Sequence, residues 1–447
     1  MQSDELLALA EIQQRIDRTL EASPADETEI AWLEARHRTT VSNADGSADT
    51  SPGARHSRTV IVRINERGRH GSYRTAFATP GELASAVREA LGLARLQPDG
   101  RDVRPISKRG RDAKAHQESW DPAIAAPDRP DLDAVLGQRL ESDEQADLET
   151  VEVRSVVANS RGLRRRAEVT GATLRVTSGQ QATAGRAASS ARRLAKLDGG
   201  DTLERARGRR GSSRATSSSL PEAPYGLVLS PEAMSCLLDL FNRHALSSRS
   251  FREGTSWVAG SLGHQVFDAA FTLRDRGEDP GGLPFPFDLF GARKRNLDLV
   301  VDGVVRNPAV DHALAPVLGR PVTPLAVSSD DAFGTHLFLE AGALEDAQLA
   351  ESVGEGLWVG WLDGVECWDP ATLAFRARAR GVRRIRDGVR GEAVGELLWE
   401  DRLSRLFSRI AGIGRRTVCL AMGDDALGAI VTPAVSFPEA MGVVGNG

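Results

Sequence analysis

The sequence predicts an α+β protein: N-terminal α/β layers followed by a mostly antiparallel β C-terminal domain. The stretch Gly356 to Leu398 carries the densest strand signal in the chain. There Phe375, Ala377 and Ala379 alternate with Arg376, Arg378 and Arg380, so one strand face is apolar and the other bears guanidinium groups. Asp302-Gly303 and Asp387-Gly388 each separate two strand-like runs and mark tight hairpins. The first 97 residues read strand, hairpin, helix, the order of a small α/β layer.

Composition narrows the function classes. The 447 residues are 40% hydrophobic, enough for two or three domains with cores of their own. A net charge of -5 and a pI of about 6.0 give no electrostatic drive toward nucleic acid or a membrane surface. Lysine is confined to Lys108, Lys114, Lys196 and Lys294, and the remaining basic charge is arginine. The three cysteines, Cys236, Cys367 and Cys419, lie far apart and form no CxxC pair, which suits a reducing compartment. The N-terminus reads as an amphipathic helix (Leu6, Leu7, Leu9, Ile12, Ile16, Leu20), without the charged and apolar regions of a signal peptide. No apolar run nears the roughly 18 residues that cross a bilayer. A cytoplasmic protein is expected.

In chain order, Glu29 to Glu34 reads as a strand, 43–57 as a polar loop, and Thr59 to Ile64 as a strong strand pairing with Ser72 to Phe77. Thr79-Pro80-Gly81-Glu82 has a threonine N-cap, a first-position proline and a glutamate three residues on, and it opens a helix. Residues 98–130 read as a loop and Leu132 to Leu140 as a helix. Thr150 to Ala158 and Ala167 to Val176 form a hairpin around Asn159 to Gly162. Ser178 to Ser219, rich in Ala, Ser, Arg and Gly, is either a flexible linker or a poorly packed helical connection. Its cluster from Arg205 to Arg214 lacks interleaved aromatics, so it reads as a solvated face and not as a nucleic-acid patch. Tyr225 to Leu229 is a strand, followed by a helix with Ser230 as N-cap and Pro231 at its first position. Helices at Leu344 to Val353 and Arg402 to Ile410, with closing strands at Val418 to Met422 and Ile430-Val431, complete the pattern. The expected divisions are 1–97, 98–220 and 221–447.

A search for chemistry leaves little. No histidine begins HExxH, and no pair of histidines has helix-face spacing. There is no G-x-S-x-G elbow, no G-x-G-x-x-G after a strand and no P-loop. Asp330-Asp331 and Asp424-Asp425 read as loop carboxylates, and Cys236 and Cys419 as core residues.

From about Val60 to Gly445 the order of motifs resembles the TldD/PmbA family, and within it the TldE (PmbA) branch. The resemblance rests on GRHGSYRTAFATPGELASAVREALGLARLQPD, the Asn159-Ser160-Arg161-Gly162 turn, and Ser230-Pro231-Glu232-Ala233 after a strand. FREGTSW, SLGHQVF, PFDLFGA, the Asp302-Gly303-Val304 hairpin, LEAGALEDAQL and GLWVGWLDG continue it. In the TldD branch the helix after the strand carries HExxxH. By spacing its two histidines fall on Ser230 and Ser235 and its glutamate on Pro231. Serine is no substitute for imidazole, and proline cannot act as a base. The family's C-G-K segment is replaced by GDDALGAIVTP, which lacks cysteine.

The resemblance therefore implies a chain with no catalytic residue and no cofactor of its own, paired with a zinc-bearing TldD-like subunit around a cleft for extended or modified peptides. A homodimer in isolation is compatible with it. Peptide capture by strand addition suits an exposed sheet edge. The family's T-G-x-x-S-x-G-A stretch is here Trp368 to Arg380, which makes Arg376, Arg378 and Arg380 candidates for substrate or partner contact; the alternative is a plain solvated strand face. Two other functions stay open: a stand-alone homodimeric peptide-binding protein without protease activity, and a hydrolase with an unrecognised site.

Overall fold

The computed structural model describes residues 6–43, 55–76, 79–98, 106, 108, 113–115, 117–126, 130–180, 183–211, 224–441 and 443–445. Two sheets organise these residues. The N-terminal unit comprises α1 (Leu9–Glu21), β1 (Glu27–Asn43), β2 (Arg55–Glu66), β3 (Arg69–Thr75), α2 (Pro80–Leu96), α3 (Pro122–Ala125), α4 (Leu132–Leu136), β4 (Glu144–Asn159), β5 (Arg164–Ser178), β6 (Gly185–Ala191) and α5 (Gly199–Arg209). Its strands form one antiparallel sheet in the order β3-β2-β1-β4-β5-β6. Strands from both sides of position 97 thus lie in the same sheet. β1 runs well past the expected Glu34 because its length pairs with β4, from Glu29↔Asn159 to Asn43↔Gln145.

Alternation decides what each face of this sheet meets. Ile30, Trp32, Val60, Val62, Val156 and Ala158 pack against α1 and α2 through Ile12, Ile16, Leu83 and Val87. The residues between them, Ala31, Ala35, Ile61, Val153 and Val157, face the C-terminal unit. α2 begins as expected: Glu82 N–H donates to Thr79 Oγ1 at 3.4 Å, and Glu82 accepts from Thr79 N–H at 2.8 Å. α4 stops at Leu136, short of the expected Leu140, because Gly137 takes the left-handed conformation that ends a helix. The described residues of the stretch Ser178 to Ser219, 178–180 and 183–211, are neither linker nor loose connection. They supply β6 and α5, ordered by burial of Ala187, Leu203 and Ala206 against Leu148, Leu174 and Val176. Residues 212–219 of that stretch, and most of the expected 43–57 loop, lie outside the described residues.

The C-terminal unit comprises β7 (Tyr225–Leu229), α6 (Pro231–Ala245), α7 (Ser248–Arg252), β8 (Leu273–Arg276), β9 (Asn296–Val301), β10 (Val304–Val305), α8 (Leu314–Leu318), β11 (His336–Leu339), α9 (Asp346–Val353), β12 (Gly356–Val359), β13 (Trp361–Asp369), β14 (Ala374–Arg386), β15 (Val389–Arg402), α10 (Leu403–Leu406), β16 (Gly412–Ala421), β17 (Ala429–Ala440) and β18 (Val443–Gly445). These strands build a twelve-stranded sheet, antiparallel except for β7 beside β12 and β11 beside β17. Both faces of β7 are covered. Leu227 and Leu229 meet Leu237, Leu238 and Phe241 of α6, while Val228 meets Leu349 and Ala350 of α9. The expected helix from Arg402 shrinks to one turn because β15 continues to Arg402, its end paired with Ala374. The fold is therefore α+β with antiparallel sheets. No described helix is long and apolar enough to cross a membrane.

Candidate functional site

The helix that follows β7 is α6, and its first turn shows what the serines there do. Ser230 is fully buried. Its Oγ accepts from Ala233 N–H at 3.2 Å and donates to the carbonyl of Gly360 beyond β12. Pro231, also buried, occupies the first helical position, where its missing N–H costs nothing. Ser235 is half-buried and donates to the carbonyl of Glu232 at 2.9 Å. The three positions are helix-building ones, and only Ser235 lies on the outward stripe with Glu232, Asp239 and Arg243. Hydroxyl, imide and hydroxyl at these positions do not fit a zinc ion. Among the described residues no three His, Cys, Asp or Glu side chains cluster as a metal site requires.

The stripe on α6 meets the N-terminal unit at its start. Glu232 receives Arg205 at 2.7 Å, Arg209 at 2.8 Å and the N–H of Ala188 at 3.0 Å. Burial opposes ionisation of Glu232, but Arg209 and Arg205 outweigh it and hold the carboxyl below its ordinary range. The expectation of a solvated arginine face therefore fails for Arg205 and Arg209. Both are largely buried because Glu232 neutralises them from another element.

Beyond Arg243 the two units enclose a cleft of about 540 Å³. Ala31, Leu33 and Ile61 come from the first sheet, Phe285, Phe287 and Leu289 from the loop before β9, and Arg243, Lys294 and Asp425 supply charge. His336 shapes that loop. Its Nδ1 lies 2.7 Å from the carbonyl of Arg276 and so carries the proton, leaving Nε2 to accept from Leu283 N–H at 2.8 Å. Burial pushes this imidazole down to about 3, which keeps it neutral. A Cβ on Gly282 would stand 2.2 Å from Nε2, so only glycine passes here. Buried Lys294 donates to Thr335 Oγ1 at 2.7 Å. Burial raises Asp288 and Asp275 against the pull of Lys294. Asp288 accepts from the N–H groups of Phe290, Ala292 and Ala326, which holds the loop's end.

At the cleft's other wall, His37 Nε2 lies 3.0 Å from Asp425, with Glu149 at 3.7 Å. Burial works against the imidazolium, but the hydrogen bond to Asp425 and the nearby carboxylate of Glu149 prevail and raise it to about 9. Asp425 is thus a pairing residue between the units. Burial lifts the thiols of Cys236 to about 11 and Cys419 to about 12, so neither is a ready nucleophile.

The arginine strand is β14, with the alternation its sequence implied. Phe375, Ala377 and Ala379 are buried, and Phe375 meets Trp399 edge-on at 5.0 Å. On the open face Arg376 pairs with Glu366 at 2.8 Å, Arg378 with Glu396 at 3.6 Å, and Arg380 with Asp363 at 2.5 Å and Glu396 at 3.0 Å. Leu398, opposite Arg378, and Trp368 are exposed apolar side chains of the same three-stranded region. The arginines do not meet Ser230 or Pro231, which are buried at the start of α6. Lys294, which lines the cleft, His336 and His37, which hold its loop and Asp425, and Glu232, which pairs with α5, carry no local signal; His37 and Asp425 are 388 positions apart.

The profile of the PmbA/TldA metallopeptidase C-terminal domain matches residues 222–445, half of the chain. The chain belongs to the PmbA/TldD family. No curated protein matches it in sequence. Among solved structures, TldE from Thermococcus kodakarensis superposes with a TM-score of 0.78 at 18% identity, over 98% of this chain and 100% of that one. A Thermotoga maritima protein described as a candidate modulator of DNA gyrase gives 0.76 at 16% identity, over 97% and 99%. One from Bacteroides thetaiotaomicron, with the same description, gives 0.75 at 17% identity, over 98% and 99%. These likenesses concern the fold of a PmbA/TldD protein over almost its whole length.

Proposed function

We propose that this PmbA/TldD protein is a non-catalytic, TldE-like subunit of a zinc peptidase pair. A TldD-like chain would bring the zinc and cut the peptide. This chain would complete the cleft that receives extended or modified peptides. One observation carries the reading: at the head of α6, where a peptidase of this family would need imidazole and carboxylate, Ser230 is committed to capping the helix and to Gly360.

Two further features support it. The cleft between the units has an apolar floor with a few placed charges, the ordinary make-up of a ligand groove. β13 pairs only with β14 among the described strands, so it has an edge open to strand addition. The three cysteines are free, as suits a cytoplasmic protein.

Co-expression with a TldD-like chain tests the proposal. Co-purification is expected, with cleavage of an unfolded peptide by the pair and none by this chain alone. Cleavage by this chain alone, or stoichiometric zinc in it, would overturn the reading. A stable homodimer that binds peptide and ignores the partner would turn it into a stand-alone binding protein.

A further inference from the structure

A second cavity, of about 460 Å³, opens between β6, β16 and the loop at 280–284, and it shares no lining residue with the cleft. Its unusual feature is Arg192, directly after β6, which is 5% exposed. The guanidinium donates to the carbonyl of Thr170 at 3.0 Å, and to those of Leu283 and Pro284 at 2.8 and 2.9 Å. Its Nε is buried without a partner. Every group it touches is neutral, and no described carboxylate pairs with it. A buried cation with no counter-charge is costly and raises the potential of the space beside it. Burial accordingly draws Arg192 down to about 9.

The same wall presents Arg193 and Lys196, neither of which has an ion pair among the described residues. The other two guanidiniums of the cavity, Arg205 and Arg416, share Asp201, and Arg205 also meets Glu232; with Glu118 and Asp198 counted, the lining sets five cations against three carboxylates. Excess positive charge in a concave, partly enclosed space is the chemistry that selects oxyanions, and guanidinium is the side chain best matched to them.

We propose that this cavity binds an oxyanion, a carboxylate or phosphate group, with Arg192 supplying the buried charge and Arg193 and Lys196 the direct contacts. The group belongs either to a free small anion or to the terminus of a bound peptide. The inference does not depend on the peptidase reading, because anion binding is measurable on the isolated chain.

Calorimetric titration of the full chain decides it, with inorganic phosphate in one arm and a short peptide, as free acid and as C-terminal amide, in the other. Potassium chloride at matched ionic strength is the control. Binding of phosphate, or of the free acid in preference to the amide, is expected. It should weaken at least tenfold in the surface double variant Arg193→Gln/Lys196→Gln, a tenfold loss being about 1.4 kcal/mol. Phosphate binding alone assigns the site to a free anion, and acid-over-amide discrimination assigns it to a peptide terminus. Binding no stronger than the chloride control in both arms, or binding unchanged in the double variant, would sink the proposal.

Discussion

Arg209 at the end of α5 donates to Glu232 in the first turn of α6 at 2.8 Å, and this contact ties the two sheets' units together. Arg205 shares the same carboxylate. Replacing Glu232 by alanine leaves buried Arg209 without its carboxylate and Arg205 with Asp201 as its remaining one. A loss on the order of 3 kcal/mol is expected, read as a lower urea midpoint. The sign with pH follows from the lowered carboxyl. Its contribution is present above the unfolded carboxylate value and is lost as pH falls through the folded one. Glu232→Gln should therefore flatten the acid limb of the stability profile. An acid limb identical to the parent's would refute this account.

His37 sits between Asp425 and Glu149, with Arg55 nearby opposing its charge. Its value rises from 6.5 to about 9 on folding, so its contribution is complete below about pH 6.5 and fades as pH climbs toward 9. The parent protein should lose on the order of 3 kcal/mol across that window. His37→Gln should remove the slope and cost most at the acid end, which thermal midpoints between pH 6 and 9.5 would reveal.

Ser230 serves one helix terminus and one strand end at once. Ser230→Ala removes the N-cap and leaves the Gly360 carbonyl without its buried donor, a combined cost of about 2–3 kcal/mol. Ser230→Thr, which keeps the hydroxyl, should recover part of it. An alanine variant as stable as the parent would show that the hydroxyl has no structural duty.

Arg376 and Arg378 are exposed and Arg380 half-exposed, and among the described residues they pair with exposed or half-exposed carboxylates, so they contribute little to folding. Changing all three to serine should leave the thermal midpoint of the isolated chain where it is. If this face meets a partner or an acidic peptide, affinity in a pull-down or titration falls roughly tenfold or more. Unchanged affinity would return these residues to the plain role of a solvated strand face.

Where a signal is local, the chain could be read directly. The capping box at Thr79 and Glu82 spans one turn, Ser230-Pro231 spans two residues, and β14 alternates over the six from Phe375 to Arg380. Each depends on periodicity or on a neighbour within hydrogen-bonding reach along the backbone. The stretch 178–211 was illegible for the converse reason. Apart from Arg186, β6 has only small residues, and α5 is ordered by Leu148 and Leu174 of the sheet and by Glu232 of another helix. Composition alone cannot supply those partners.

The sequence by itself determined the α+β class, most helix starts, the hairpins at Asp302 and Asp387, and the two-faced character of β14. Those features are set by side-chain periodicity and turn chemistry. Only the tertiary structure decided that β1 pairs with both β2 and β4, that His336 props the cleft loop, and that Arg192 stands buried without a counter-charge. The partners concerned are brought together by chain closure over tens to hundreds of residues. Burial then sets their charge and protonation, which no local pattern encodes.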